Sequence, residues 1–227
     1  MIAENLQTIR DEIAALSNGR PVKLLAVSKT KPYSDLLEAY EANQRDFGEN
    51  YANELFEKCP EALVSMPEAV FHMIGPVQSS RIPKLAALSN LHYVHSVDRL
   101  KIAELFSKQC EKLDRELNVF VQVNTSSEES KSGCSPEEAL DLCLKVESLE
   151  RIKLVGLMTI GAPGDDSCLD LLKKIFDDVK KELKHPENFT ELSMGMSGDM
   201  AAAIERGSTI VRVGSAIFGA RYYPAKN

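Results

Sequence analysis

Paired cysteines are missing from this sequence. Its five cysteines are scattered, odd in number and free of any CxxC pair, so neither a disulfide framework nor a zinc ribbon is expected. His92 and His95 are three positions apart, a spacing that points them to opposite faces of a strand, and no ligand cluster supports them. The sequence therefore predicts a chain without a metal site, kept in a reducing compartment.

Long apolar runs and an excess of basic residues are also missing. No apolar run approaches the roughly 20 residues of a membrane span, and residues 1–18 read as an acidic amphipathic helix rather than a signal or transit peptide. The 34 acidic residues outnumber the 27 basic ones, which gives a net charge of −7 and no global basic field. These absences predict a cytoplasmic protein that binds neither nucleic acid nor membranes.

The chain contains no Pro/Gly/Ser-rich linker and no repeat, so residues 1–227 are predicted to form a single domain. Short apolar runs alternate with longer amphipathic ones, and the predicted strands are 23–29, 44–48, 70–75, 91–97, 118–124, 153–160, 191–196 and 210–218. This alternation implies parallel strands, in either an open doubly wound sheet or a closed barrel. Strand number and chain length favour a (β/α)8 TIM barrel over 23–221, preceded by the helix over 1–18.

The run "LLAVSKTKP" ends a predicted buried strand on Lys29. One interpretation is that the strand simply ends there and the side chain extends into water. The other is an amine at the mouth of a pocket, suited to a Schiff base with an aldehyde or ketone. Polar residues or glycine follow most of the other strands too, which predicts one pocket at the carboxyl ends of the strands.

Glycine and serine follow the last two predicted strands, in "SMGMSGDM" and "RVGSAIFG". Exposed backbone amides, a hydroxyl and the start of a helix together favour a phosphate site, although turns and tight packing also use such glycines. Strands one and eight are neighbours in a closed barrel, so the lysine and the phosphate site would face one ligand. An aldehyde that carries its own phosphate is pyridoxal 5′-phosphate (PLP).

These residues resemble a known family. The chain is similar to the pyridoxal phosphate homeostasis proteins, often called the YggS/PROSC family, over about residues 23–221. The matching motifs are "LLAVSKTKP", "FGENY", "HMIGPVQSSR", "HSVD", "VQVN", "ESKSG", "GLMTIGAP" and "LSMGMSGDMAAAIERGSTIVRVGSAIFGAR". The resemblance implies a single-domain version of the alanine racemase barrel, the fold type III of PLP proteins.

The resemblance also implies where the cofactor binds. Lys29 would hold PLP covalently, as an aldimine. The other implied contacts are Ser197, Gly214 and Ser215 for the phosphate, Arg221 for the pyridine nitrogen, and Asn50, His72 and Met194 around the ring or the aldimine.

An arginine beside the pyridine nitrogen bears on activity, because it only donates hydrogen bonds and keeps that nitrogen unprotonated. Transaminase and decarboxylase chemistry are therefore disfavoured. Two-base racemisation needs a second acid/base group, and the resembling racemases take it from an additional domain that this sequence is not expected to contain. The remaining tyrosines are Tyr51, Tyr222 and Tyr223.

The prediction is a protein of PLP homeostasis without catalytic turnover; the alternative is a small amino-acid racemase. A third hypothesis is a Schiff-base aldolase, in which Glu49 would have to approach Lys29. Apo-enzymes that require PLP are the implied protein partners, and a monomer is expected. Lys131 in "ESKSG" is interpreted either as a solvated loop lysine or as a residue that helps to pass on the cofactor.

Overall fold

Eight parallel strands close into a barrel in the computed structural model of the protein, which describes residues 1–221. The strands are β1 (Lys23–Val27), β2 (Asp46–Glu49), β3 (Val70–Met73), β4 (Leu91–Val97), β5 (Leu117–Gln122), β6 (Ile152–Met158), β7 (Glu191–Ser193) and β8 (Ile210–Val213). Neighbours in the chain pair with each other, and β1 closes the seam by pairing with both β2 and β8. The predicted closed barrel is confirmed, and the open sheet is not formed.

Helices surround the barrel and connect its strands. They are α1 (Ile2–Ser17), α2 (Tyr33–Glu41), α3 (Ala52–Ser65), α4 (Ile82–Ala86), α5 (Leu100–Lys112), α6 (Ala139–Glu147), α7 (Ser167–Glu182), α8 (Met200–Glu205) and α9 (Ser215–Phe218). None of the helices within residues 1–221 has the length and apolarity needed to cross a membrane.

The helix α1 is the predicted addition to the barrel. It buries Ile2, Leu6, Ile9 and Ile13, which recur at a spacing of three or four residues and so lie on one face. This face belongs to the core between barrel and helices, and the Asn5 side-chain amide donates to the Ile217 carbonyl at 2.9 Å. The first helix is thereby attached to the segment that follows the last strand.

Side chains of a strand alternate between two hydrophobic clusters. In β1, Leu24 and Ala26 face the surrounding helices and belong to the larger cluster, whereas Leu25 belongs to a small cluster inside the barrel. Phe120 and Ile210 also belong to the inner cluster. The barrel interior is thus a packed core, and a ligand can enter only at an end of the barrel.

Seven of the eight predicted strands are longer than the observed ones, and the last two differ most. Residues 210–218 contain β8 and then α9, because the amides of Ile217 and Phe218 both donate to the Gly214 carbonyl and form a helical turn. Residues 191–196 contain β7 only as far as Ser193; Gly195 follows with a φ of 101°, a left-handed conformation that ends the strand. Short apolar runs do not distinguish such a turn from a strand.

All five cysteines are buried free thiols. Burial raises the pKa of the Cys59, Cys110 and Cys143 thiols and raises that of Cys134 to about 12. These side chains contribute to the core as small apolar groups.

Candidate functional site

A cavity of about 480 Å³ opens at the carboxyl ends of the strands, where the sequence predicts the pocket. Small-ligand sites generally have volumes of about 300–1,000 Å³. The cavity is lined by Val27, Lys29, Lys31, Asn50, Ile74, Ile160, Met196, Ser197, Gly198, Arg212, Gly214, Ser215, Gly219 and Arg221. These residues come from the ends of β1, β2, β3, β6, β7 and β8 and from the segment after α9.

Lys29 reaches the cavity from a tight turn that follows β1. The Lys31 amide donates to the Ser28 carbonyl at 3.1 Å, and Thr30 has a left-handed φ of 63°. The Thr30 amide donates to both carboxylate oxygens of Glu54, at 3.0 and 2.9 Å. The backbone on either side of the half-buried Lys29 is therefore held in one conformation.

A buried ion pair supports the same turn. The Lys58 ammonium donates to Glu49 Oε1 at 2.7 Å, to Glu54 Oε2 at 2.6 Å and to the Ser28 carbonyl at 2.9 Å. The Ser28 hydroxyl donates to Glu49 Oε1 at 2.7 Å. Burial raises the pKa of Glu49 to about 7, although Lys58 and Ser28 both act to lower it. The buried side chains of Glu49 and Lys58 beside the turn are thus held in place by their opposite charges and by hydrogen bonds.

Lys31 is the second lysine of the cavity, and its ammonium is fully occupied. It donates to the carbonyls of Phe218 and Gly219, both at 3.2 Å, and to that of Ala220 at 2.8 Å. Three hydrogen bonds use all three donors of an ammonium group. Lys31 therefore anchors the segment after α9 to the rim of the cavity.

The turn between β8 and α9 presents backbone amides to the cavity. The amides of Ile217 and Phe218 bond to the Gly214 carbonyl, each at 3.0 Å, so the amides of Ser215 and Ala216 precede the first helical hydrogen bond. Such amides at a helix start are free to bind an anion. A Cβ on Gly214 would lie 3.2 Å from the Val27 carbonyl oxygen, so this turn packs closely against β1.

The loop after β7 brings a second hydroxyl and glycine to the same wall. Ser197 and Gly198 are exposed and line the cavity beside Gly214 and Ser215. A Cβ on Gly198 would meet no atom within 4 Å, so the backbone there borders open space. The predicted glycine and serine loops are thus brought together, as a phosphate group would require.

Arg212 on β8 closes the inner end of the cavity and is only 5% exposed. Its guanidinium donates to Ser193 Oγ and to the Thr159 carbonyl, both at 2.8 Å. Burial lowers the pKa of Arg212 to about 10, which leaves the group positively charged at neutral pH. Sequence reasoning missed this residue because it lies within an apolar run, three positions before the predicted Ser215.

The charge of the cavity contrasts with that of the whole chain. Four of its described lining residues are cationic, and no described lining residue is acidic, although the protein carries a net charge of −7. A cleft lined by charges of one sign attracts ligands of the opposite sign. The cavity is therefore suited to a small anion or to a ligand with an anionic group.

Asn50 follows β2 and turns its side chain towards the cavity. Its Oδ1 is buried and has no hydrogen-bond partner within the described residues. Because buried polar atoms are nearly always hydrogen-bonded, this orphaned oxygen is a candidate acceptor for a ligand bound in the cavity. Gly75 packs against Asn50: a Cβ at Gly75 would lie 2.0 Å from the Asn50 carbonyl oxygen.

Replacing Gly75 by alanine is expected to push Asn50 out of position and to lower the free energy of unfolding by about 1–3 kcal/mol, the usual cost of overpacking. Urea denaturation measures this loss. The matched control is Gly198→Ala, whose Cβ meets nothing within 4 Å and which should change the stability by less than about 0.5 kcal/mol. Equal stabilities for the two variants would contradict the close packing.

The structure brings together six of the eight predicted site residues, which are Lys29, Asn50, Ser197, Gly214, Ser215 and Arg221. His72 and Met194 do not line the cavity. Alternation along the strands places the Met194 side chain in the outer hydrophobic cluster, and His72 is fully buried inside the barrel, where it bonds to Asp46 and His95. Contacts of these two residues with a ligand of the cavity are therefore not expected.

The other residues singled out in the sequence lie elsewhere. Tyr51 is 54% exposed and is not among the lining residues, while Tyr222 and Tyr223 lie outside the described residues. The Lys131 ammonium is half-buried, donates to the Gly161 carbonyl at 3.3 Å and does not line the cavity. Residues 1–221 contain no group of three or more histidine, cysteine, aspartate or glutamate side chains placed to hold a metal ion.

Comparisons with known proteins bear on the family and on the fold. The model of the family "alanine racemase, N-terminal domain" matches residues 1–222. A protein of Schizosaccharomyces pombe named pyridoxal phosphate homeostasis protein is 43% identical over 223 residues, which cover 95% of this chain and 91% of that protein. The structure of PipY of Synechococcus elongatus with PLP bound is 30% identical, with a TM-score of 0.84 over 96% of this chain and 100% of PipY.

A more distant structure bears on the fold alone. The alanine racemase of Clostridium difficile is 16% identical, with a TM-score of 0.73 over 98% of this chain and 57% of that enzyme. At this identity, shared architecture gives no information about activity.

Proposed function

This chain belongs to the family of pyridoxal phosphate homeostasis proteins, and from that premise we propose that its cavity binds PLP for storage and delivery rather than for catalysis. The observation that carries the proposal is the cavity itself: a lysine at the end of β1 faces glycine and serine loops and a buried arginine, and no acidic residue lies among the described lining residues. PLP combines an aldehyde with a phosphate, so it matches both sides of this cavity.

Lys29 is the proposed point of covalent attachment. Its amine would add to the PLP aldehyde and form a C=N bond, with the loss of one water molecule. Lys31 is less suited, because its ammonium already donates to three carbonyls and the amine must lose a proton before it can add. The lysine of "VSK" is therefore retained as the attachment site, and Lys31 is assigned to holding the cavity rim.

The other PLP groups are assigned to the remaining lining residues. Ser197, Gly198, Gly214 and Ser215 would hold the phosphate through hydroxyl and backbone donors. We assign the pyridine nitrogen to Arg212 instead of Arg221, because Arg212 is buried and held by two hydrogen bonds whereas Arg221 is exposed, beyond α9. The orphaned Asn50 Oδ1 would accept a hydrogen bond from the ring substituents.

The proposal that turnover is absent rests on the side chains around the cavity. PLP supplies an electron sink when its pyridine nitrogen is protonated; the Arg212 guanidinium only donates and would keep that nitrogen unprotonated. No described lining residue is a tyrosine, histidine, cysteine, aspartate or glutamate, so the described lining offers none of these side chains as the second acid/base group that racemisation needs. Glu49, which an aldolase would need near Lys29, is buried against Ser28 and Lys58.

We propose PLP-dependent apo-enzymes as the recipients, and the predictions of a cytoplasmic monomer are kept. The proposal is tested by titrating the purified protein with PLP and recording the visible absorption spectrum, followed by borohydride reduction and peptide mass mapping. We expect a new absorption band and a single reduced adduct on Lys29. Assays of alanine and serine racemisation on the same sample should show no turnover. A protein that takes up no PLP would refute the proposal. Rapid racemisation would favour the alternative, a small amino-acid racemase.

A further inference from the structure

A line of hydrogen bonds crosses the interior of the barrel from the cavity to its opposite face. Arg212 donates to Ser193 Oγ at 2.8 Å, and Ser193 Oγ lies 2.8 Å from His95 Nδ1. His95 Nε2 is 2.9 Å from His72 Nδ1, and His72 Nε2 is 2.9 Å from Asp46 Oδ1. Asp46 is the first residue of β2 and therefore lies at the amino end of the barrel. We call these five residues the interior relay.

The arginine end of the relay supplies donors only. A guanidinium cannot accept a hydrogen bond, so Ser193 Oγ is the acceptor for Arg212. The Ser193 hydroxyl can then donate to His95 Nδ1, an arrangement in which that imidazole carries its hydrogen on Nε2. His95 Nε2–H in turn donates to His72 Nδ1.

The aspartate end of the relay favours the same direction of hydrogen-bond donation, from Ser193 towards Asp46. Burial alone would raise the pKa of Asp46, but His72 and Lys23 outweigh it and lower the pKa, so this group is a carboxylate that accepts from His72 Nε2–H. Burial lowers the pKa of His72 and lowers that of His95 well below its ordinary value, so both imidazoles are neutral. The aspartate end therefore demands one tautomer in each histidine, with the hydrogen on Nε2, and the arginine end is compatible with it.

The two imidazoles are also fixed by aromatic neighbours. His72 stacks on Tyr93 with ring centroids 4.4 Å apart, and His95 stacks on Phe120 at 4.1 Å. His72, His95 and Ser193 are each fully buried. Rotation of either ring would break hydrogen bonds that water cannot replace in this core.

We propose that Asp46 positions Arg212 through this relay, so that the charge at one face of the barrel orients the cation that faces the ligand at the other. The relay does not conduct protons to the cavity, because its last member has no proton to release at physiological pH. It acts on orientation: the Asp46 carboxylate fixes the direction of the hydrogen bonds, and three side chains lie between it and the guanidinium.

The role towards the ligand rests on the proposed function, in which Arg212 faces the pyridine nitrogen. A carboxylate at that nitrogen would stabilise the protonated ring and promote turnover. In this protein the carboxylate is placed at the far end of the relay, and the arginine alone faces the ring. The relay would thus let the buried Arg212 guanidinium bind PLP and keep the pyridine nitrogen of PLP unprotonated.

The first test uses the full chain without PLP. Nitrogen-15 NMR distinguishes the two tautomers of a neutral histidine, and the sequence contains only four histidines, of which the exposed His185 serves as an internal reference. We expect His72 and His95 both to carry hydrogen on Nε2. In Asp46→Asn the amide can donate as well as accept, so the line of bonds can reverse and His95, which Asp46 does not touch, should become a mixture of tautomers.

The matched control is Glu68→Gln, which neutralises an exposed carboxylate at the same face, paired with Arg45 outside the relay. It should leave both histidines unchanged. A His95 tautomer that is the same in Asp46→Asn as in the parent would overturn the proposal, whatever PLP does. The NMR test of the tautomers therefore remains decisive even if the chain fails to bind PLP.

The second test measures PLP affinity by absorption titration. Asp46→Asn is expected to weaken PLP binding at least about fivefold, within the usual range of coupling between two sites, and Glu68→Gln to have no effect. Ser193→Ala interrupts the relay next to Arg212, so adding Asp46→Asn to it should cause little further loss. If the losses of PLP affinity caused by the two substitutions add in full in the double variant, Asp46 acts by a route that does not pass through Ser193.

Discussion

The Lys29→Ala variant is expected to lose all borohydride-trappable PLP while it keeps its fold. No other described lysine of the cavity is suited to replace it, because the Lys31 ammonium is hydrogen-bonded to three carbonyls. The phosphate loops and Arg212 are untouched by the substitution, so reversible PLP binding should survive in a weakened form. Absorption spectra, reduction and peptide mapping measure the covalent part, and competition by inorganic phosphate measures the rest.

Two variants separate the chemistry of Lys29 from its charge. Lys29→Arg keeps a cation in the cavity but cannot form the C=N bond, so it should lose the covalent adduct as completely as Lys29→Ala. Lys31→Arg keeps a donor for the segment after α9 and should retain the adduct on Lys29. A reduced adduct on Lys31 in the Lys29→Ala protein would contradict the assignment.

The Lys58→Met variant is expected to lose about 3–5 kcal/mol of its free energy of unfolding at pH 8. The substitution removes the ammonium from Glu49, which is fully buried, and an uncompensated buried charge costs about this much. Glu49 has an ordinary pKa near 4.5, which the fold raises to about 7 even beside Lys58. A carboxyl whose pKa is raised by folding loses stability as pH rises, so the loss should shrink towards pH 5.

Urea denaturation of the variant at pH 5 and pH 8 measures this dependence. Lys145→Met is the matched control, since it breaks an exposed pair with Asp141 and should cost less than about 1 kcal/mol at either pH. Adding Glu49→Gln to Lys58→Met should restore part of the stability, because the buried charge is then gone. A pH-independent loss, or no recovery in the double variant, would contradict a buried ion pair.

The order of elements could be predicted from the sequence, but the carboxyl ends of most strands could not. Alternating apolar runs specify where strands begin, and β4 has the predicted bounds of 91–97. The run 210–218 continues with apolar residues after Val213, so hydropathy does not reveal that Gly214 starts a helical turn. The strands β7 and β8 stop at local turns around Gly195 and Gly214, which the apolar pattern does not distinguish from a continuing strand.

The site was predictable where motifs mark loops and not where residues lie inside strands. Lys29, Ser197 and Ser215 follow strands, and their positions at one end of the barrel follow from the topology. Arg212 and His72 lie within strands, and their roles depend on which face of the strand points inwards. Arg212 lines the cavity and His72 does not; His72 is hydrogen-bonded to Asp46 and His95 inside the barrel.

The burial of the cysteines has a consequence if the ligand is an aldehyde, as proposed. Aldehydes react readily with thiolates, and a protein that handles a free aldehyde risks modification of its own side chains. Here each of the five thiols lies in the core, and burial keeps at least four of them protonated and poorly nucleophilic. The fold thereby shields these thiols from the proposed aldehyde cargo, whose capture is assigned to the Lys29 amine.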